Sequence, residues 1–278
     1  MSAVITLTTD FGLKDGYVAS LKGVILNINP KAIIVDITHF IDPQNILQAA
    51  FILHTVCPYF PDGTIHLVVV DPGVGSDRRA ILLRTDSAYF IAPDNGVLSY
   101  IINGSGRTFV SLPDIGPSVD SVKINKSVQA VAITNPKYWL EAVSTTFHGR
   151  DIFAPVAAHL SLGLDYRVFG EPTDCLNTIT IPSPYVNASG DTVGQILHVD
   201  NFGNLVTNIK DQSIPEQEIN IELMGQTIAG VCRFYAEKQG LIAVVGSSGH
   251  LEISLSNGNA ADFLGAKVGD EVKILAVR

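Results

Sequence analysis

Three apolar, β-branched runs each break off at a polar cluster, and stretches with helical spacing separate them. Val4–Thr8 ends at Thr9-Asp10-Phe11-Gly12, Ile33–Ile37 at Thr38-His39, and Thr64–Val70 at Asp71-Pro72-Gly73. Between the first two, Tyr17–Asn29 sets Val18, Leu21, Val24, Ile25 and Ile28 at helical intervals until Pro30 stops it. Asn45–Val56, bracketed by Pro43 and Pro58, is a second predicted helix. Strand–helix–strand alternation needs crossovers, so it predicts a mostly parallel sheet covered by helices on both faces. Ligands of such sheets sit beyond the carboxyl ends of the strands. Thr8-Thr9-Asp10, Asp36-Ile37-Thr38-His39 and Asp71-Pro72-Gly73 are therefore expected to converge at one rim. Further strands are predicted at Arg79–Thr85 and Tyr89–Ile91, and helices at Asn95–Ile102 and Asp151–Leu162. Ile33–Ile37 reads as a buried strand.

The pattern then changes. Pro172, Pro182 and Pro184, among Ser, Thr and Asn, mark residues 171–187 as a linker. Beyond it, Val193–Val199, Leu205–Ile209, Ile219–Leu223, Gln226–Val231, Leu241–Val245, Leu251–Leu255 and Val272–Val277 are short strands, with Ala260–Leu264 as a helix. Close spacing of short strands predicts a small barrel or sandwich. The expectation is an α/β N-terminal domain at 1–170 and an all-β barrel domain at 188–278.

The net charge of −9 disfavours nucleic acid, whose binding needs clustered Lys and Arg, and tolerates a cationic ligand. No apolar run reaches the roughly 18 residues of a membrane span. Met1–Leu7 has neither a basic n-region nor a cleavage-like site, and the three cysteines are scattered; both favour a cytoplasmic protein without disulfides. Gly73-Val74-Gly75 follows a strand, but Arg78 replaces the third glycine of a dinucleotide fingerprint and a strand follows instead of a helix. No zinc spacing occurs among the histidines and cysteines, so no metal is expected.

Five clusters carry potential chemistry. Arg78, across a Gly-rich turn from Asp71, can fold back to orient that carboxylate; on local sequence alone a structural ion pair is the simpler reading. His148, in Phe147-His148-Gly149-Arg150-Asp151, suits proton handling near neutrality, or only a backbone contact. Arg150 and Asp151 read as a helix cap and its partner. Asp10, with Asp15 nearby, suits two ribose hydroxyls or a helix cap. Asp200-Asn201-Phe202-Gly203-Asn204 combines a carboxylate, an aromatic face and an amide, or is a hairpin turn. Gly246–Glu252 is a small-residue loop whose amides suit a carboxylate.

With these clusters, the chain resembles the S-adenosylmethionine hydroxide adenosyltransferase family, which is related to fluorinases and chlorinases. Thr8–Gly12, Asp36–His39, Val70–Gly75, Pro93-Asp94-Asn95-Gly96, Thr146–Pro155, Asp200–Asn204 and Ser247–Asn257 carry the resemblance, in the family's order. It implies catalytic roles for Asp71, Arg78 and His148, ribose binding by Asp10, and contacts to the methionine end from Asp200, Ser247, Asp15 and Tyr17. It places Asn204 at the adenine, with Phe202 and Tyr235 packing on the base, and brings Ser248, Glu252 and Asn257 into the substrate-binding stretch. It further implies a homotrimer with sites between subunits, and no cofactor, since S-adenosylmethionine is the substrate. A tryptophan that packs on ligand in the halogenating relatives falls near Gln44 here, so that side of the site differs.

The implied reaction is attack of water on C5′, releasing methionine and leaving adenosine. A sulfonium departs without acid catalysis, so the demand falls on holding and deprotonating water. The sequence assigns the proton to neither Asp71 nor His148. Halide transfer to the same carbon, and a non-catalytic nucleoside-binding protein, are the alternative readings.

Overall fold

The computed structural model describes residues 3–103, 119–125 and 127–276. These divide into two compact units, with the boundary between residues 181 and 182.

The first unit contains β1 (Val4–Thr9), α1 (Tyr17–Ile28), β2 (Ile33–Thr38), α2 (Ile46–Val56), β3 (Thr64–Val69), β4 (Ala80–Arg84) and β5 (Ala88–Pro93). It continues through α3 (Ser99–Asn103), β6 (Val119–Lys123), β7 (Gln129–Ile133), α4 (Ala154–Ser161), β8 (Gly170–Thr173) and β9 (Cys175–Ile179). Its main sheet has the order β2-β1-β3-β5-β4-β7-β8, and β6 pairs separately with β9. The strands β2, β1, β3 and β5 run parallel, while β4, β7 and β8 follow with each strand antiparallel to its neighbour. Every residue of β3 is buried, because helices cover both faces there. Ile65, Leu67 and Val69 enter one core with Leu21 and Ile25 of α1 and Val156 and Ala157 of α4. Val68 and Val70 enter the other core with Ala49, Ala50 and Leu53 of α2. The period-two alternation of strand side chains thus feeds two hydrophobic layers from one strand.

Three expectations change. Ile33–Ile37 is not a buried strand: β2 is the sheet edge, paired with β1 alone, and Ile33 is 49% exposed. Residues 171–187 are not simply linker, since β8 and β9 carry the first unit to residue 181 and the second unit begins at 182. Pro172 fits because β8 is an edge strand, where a missing N–H leaves no ladder bond unmade. Asp151–Leu162 is not one helix. A π turn, Gly149–Phe153, precedes α4, and the Ala154 N–H donates to Gly149 O. Pro155 has no N–H to offer Asp151 O, which instead accepts from Leu140 N at 2.9 Å.

The second unit holds β10 (Tyr185–Val186), β11 (Thr192–Val199), β12 (Leu205–Lys210), β13 (Ile219–Leu223) and β14 (Gln226–Ala229). They are followed by β15 (Leu241–Val245), β16 (His250–Leu255), α5 (Ala260–Leu264) and β17 (Glu271–Ala276). The antiparallel order β14-β13-β17-β11-β12-β16-β15 nearly closes, with a bridge from Cys232 to Val244 beside the two ends. Ile196, Leu205, Ile221, Leu251, Ile253 and Val272 fill its barrel-like interior. The expected classes, α/β followed by all-β, are both present.

Candidate active site

In the first unit the chain leaves β3 at Val70 and turns sharply through Asp71–Ser76, with Val74 N donating to Asp71 O and Ser76 N to Gly73 O. Asn95 Nδ2 holds Val70 O at 2.8 Å, fixing the start of the turn. Gly75 has φ +81°, and a Cβ there would run into the Thr145 carbonyl. Only glycine lets the two loops approach so closely. That approach brings residues 71–78 against the segment bearing His148.

Arg78 closes the arrangement. Its Nε donates to Asp71 Oδ1 at 2.9 Å and its Nη2 to Asp71 Oδ2. The same Nη2 lies 3.0 Å from His148 Nδ1. A guanidinium only donates, so Nδ1 accepts and the imidazole proton sits on Nε2. Burial disfavours the charged imidazolium and the Arg78 charge adds to this; together they outweigh Asp71 and Asp151 and hold the His148 pKa below its ordinary value. The Asp71 and Arg78 side chains are 5% and 10% exposed, so solvent screens the pair little. Phe153 packs under the guanidinium, 5.3 Å from ring centroid to Cζ.

The mount of His148 rests on Asp151, which does not act as the expected helix cap. It is fully buried, and Oδ2 accepts from both N and Oγ of Ser144, at 2.8 and 2.7 Å. Arg150 Nε donates to its other oxygen at 2.6 Å. Burial opposes ionisation of Asp151, but Arg150 and Ser144 outweigh it and lower the pKa.

Asp10 lies just past β1. Its Oδ2 accepts from Gln44 N at 2.9 Å. Tyr17, the first residue of α1, joins Phe11 and Phe147 in a ring cluster with centroids 5.2–5.8 Å apart. Asp15 is exposed in the loop before α1. Phe11 and Phe147 were not singled out from sequence; only their places beside Asp10 and His148 hinted at them.

The second unit has its own cavity of about 810 Å³, lined by Asp200, Phe202, Asn204, Tyr235, Ser247, Glu252 and Asn257 among others. Residues from separate stretches of the second unit thus line one cavity. Ser254 and Ser256, within the Ser247–Asn257 stretch but not singled out, also line it, as does Gln239, which had no motif to mark it. Ser248 is not among the lining residues; its O and Oγ face His250 Nδ1 at 3.1 and 3.2 Å. Asp200 Oδ1 accepts from the N–H groups of Phe202 and Asn204, and Oδ2 from Asn204 Nδ2 at 2.8 Å. Gly203, at φ +80°, passes so near the Asn259 amide that any Cβ would collide. The Asp200–Asn204 turn is therefore built around the carboxylate, and Phe202 is left 74% exposed. Tyr235 Oη donates to Glu252 Oε2 at 2.8 Å. Burial, joined by the charge of Asp200, raises the Glu252 pKa despite that bond. Burial and the neighbouring Glu252 push Tyr235 to about 12.

Comparison with known proteins points the same way for both units. Residues 5–170 match the SAM hydroxide adenosyltransferase N-terminal domain, and 194–273 the SAM hydroxide adenosyltransferase C-terminal domain. An (R)-S-adenosyl-L-methionine hydrolase of Salinispora tropica is 35% identical, covering 98% of this chain and 97% of its own. A fluorinase of Nocardia brasiliensis is more distant, 26% identical over 74% of this chain and 71% of its own. A crystal structure of an uncharacterized conserved protein from Thermotoga maritima superimposes with a TM-score of 0.83 at 34% identity, covering 98% of this chain and 99% of that one.

Proposed function

The chain belongs to the SAM hydroxide adenosyltransferase family, and we propose that it hydrolyses S-adenosyl-L-methionine at C5′ through Asp71, Arg78 and His148. Water supplies the oxygen that bonds to C5′. The C5′–S bond breaks with its electron pair moving to sulfur, and methionine leaves as a neutral thioether. Adenosine remains and one proton is released. The sulfonium is its own leaving group, so this chemistry asks for no cofactor.

The observation that carries the reading is the shared nitrogen: Arg78 Nη2 contacts both Asp71 and His148. Asp71 keeps carboxylate lone pairs beyond the two that Arg78 occupies, and these can accept a proton of the attacking water. His148, with Nδ1 engaged, offers only Nε2–H, a donor that positions the water oxygen. Arg78 thereby assigns the accepting role to Asp71 and the orienting role to His148. A fixed water in a dry site gains effective concentration and loses competing hydrogen bonds.

Asp10 supplies acceptors for the ribose hydroxyls, and the second unit's cavity supplies Asn204 and Phe202 for the base and Asp200 and Ser247 for the methionine end. We further propose a cytoplasmic homotrimer whose sites are completed between subunits. Leu13 and Phe40, both more than half exposed beside Asp10, suit cover by another copy. The experiment is product analysis of purified protein with S-adenosylmethionine, with and without chloride. Adenosine and methionine in equal amounts support hydrolysis. Chlorinated nucleoside, or no turnover over long incubation, overturns it. Sedimentation of the same sample should read three times the chain mass of 29.7 kDa.

A further inference from the structure

His39 is 3% exposed, lies outside the Asp71–Arg78–His148 cluster, and sits at the end of β2 beside the loop that carries Asp10. Its Nδ1 is 2.9 Å from Thr9 Oγ1, and its Nε2 is 3.1 Å from Asp36 Oδ1. Asp36 Oδ2 accepts from Lys22 Nζ of α1 at 2.6 Å. Burial opposes ionisation of Asp36, but Lys22 and His39 outweigh it and lower its pKa. Asp36, at ion-pair distance, favours the imidazole proton on Nε2, which leaves Nδ1 to accept from the Thr9 hydroxyl. The same hydroxyl oxygen accepts from Phe11 N at 3.3 Å. Thr9 thus grips the chain on both sides of Asp10.

Backbone contacts tighten the same link. Gly12 N donates to His39 O at 2.7 Å, and Ile41 N to Thr9 O at 3.4 Å. The register of β1 against β2 slips by one residue between Leu7 and Thr8, so the strand end is re-aimed just before Asp10. Gln44, which donates its N–H to Asp10, has φ +66°, a conformation that a residue with a side chain adopts at a cost. Asp10 Oδ1 has no hydrogen-bond partner among the described residues.

We propose that the Asp36–His39 pair positions Asp10: acting through Thr9, it holds one carboxylate oxygen on Gln44 and leaves the other aimed at the hydroxyl groups of a ribose. The inference rests on the reading of Asp10 as the ribose acceptor and adds the residues that set it. His39 and Asp36 are positioning residues, since neither is asked to touch the substrate.

The test is calorimetric titration of the full chain with adenosine and with 2′,3′-dideoxyadenosine, in the wild type, His39→Ala, His39→Asn and Thr9→Val. The wild type should prefer adenosine by about tenfold, the scale of a hydrogen bond to a charged group. His39→Ala and Thr9→Val should lose most of that preference while binding dideoxyadenosine as before. His39→Asn, whose amide oxygen can accept from Thr9, should recover part of it. With S-adenosylmethionine, Thr9→Val should raise KM and leave kcat within a few-fold. Thr9→Val preserves shape and β-branching, so it tests the idea even where His39→Ala fails to fold. A wild type that binds both nucleosides equally removes the ribose reading of Asp10 and the inference with it. Variants that keep the full preference, or lose both ligands alike, overturn the positioning role alone.

Discussion

Four acids of the first unit come with their own cations, and the two lining the cavity of the second do not. Asp71 holds Arg78, Asp94 holds Arg79, Asp151 holds Arg150, and Asp36 holds Lys22. Asp200 and Glu252 have backbone N–H, amide and phenol partners, but among the described residues neither pairs with a Lys or Arg. A buried carboxylate without a counter-charge is costly, and Glu252 answers by binding its proton more tightly. The Asp71–Arg78–His148 cluster is electrostatically finished before any ligand arrives, which suits groups that must hold a fixed geometry during reaction. The second unit's cavity is left short of positive charge, which suits recognition of a ligand bearing ammonium and sulfonium groups.

The sharpest way to break this contrast is to strike the finished site. Asp71→Asn keeps the shape but weakens the anchor of Arg78, and His148→Ala removes the proposed orienting donor. Each should lower kcat by about 10²–10⁴-fold, the usual range for a positioned proton-handling group. The dissociation constant for S-adenosylmethionine should stay within a few-fold, read by calorimetry. A loss dominated by binding would mean that this cluster also recognises substrate, and the division of labour would fall.

Acid should separate the two units as well. His66 in β3 is fully buried, takes a 2.8 Å contact from Thr6 Oγ1 and stacks on Phe90 at 5.0 Å. Burial pushes its pKa down to about 4. Between pH 6.5 and that value the unfolded chain binds a proton that the folded chain refuses, so stability falls as pH falls. At about 1.4 kcal/mol per unit, the first unit should lose about 2 kcal/mol by pH 5. Glu252 has the opposite sign: its folded form favours the proton, so its contribution rises as pH drops through its raised midpoint. Trp139, the chain's single tryptophan, packs against the first unit's core and reports that unit in urea titrations. Hydrogen exchange in β11–β17 reports the other. Equal acid sensitivity in both, or a His66→Phe variant with an unchanged slope, would remove the contrast.

How much of this was legible depended on distance along the chain. The strand ends at Asp10 and Asp71 were readable because β-branched runs and their Gly-rich stops are local. So was the Asp71–Arg78 pair, since a short turn limits where the arginine can reach. The π turn beneath His148 was not: Pro155 leaves Asp151 O without a helix donor, but the Leu140 N–H that takes it up is brought there only by folding. The edge position of β2 and the strands β8 and β9 also depend on which neighbour each strand finds, and Pro172 locally imitates a linker. Asp200 and Asn204 were visible as a motif. That Ser254 and Gln239 share their cavity was not, because it depends on how the strands of the second unit pack.

The finest test separates charge from shape in that cavity. Glu252→Gln keeps the size of the side chain and an acceptor for Tyr235 but removes the negative charge. If the cavity's uncompensated acids recognise a cation, S-adenosylmethionine should bind about tenfold more weakly, while uncharged adenosine should change by less than about twofold. The pH dependence fixes the sign. Protonating Glu252 removes the same charge as the substitution does, and its raised midpoint brings this on at a higher pH than for an ordinary glutamate. Wild-type KM should therefore climb as pH is lowered through that raised midpoint, and the climb should flatten in Glu252→Gln. If adenosine and S-adenosylmethionine weaken together, Glu252 shapes the cavity through Tyr235 and its charge is incidental to recognition.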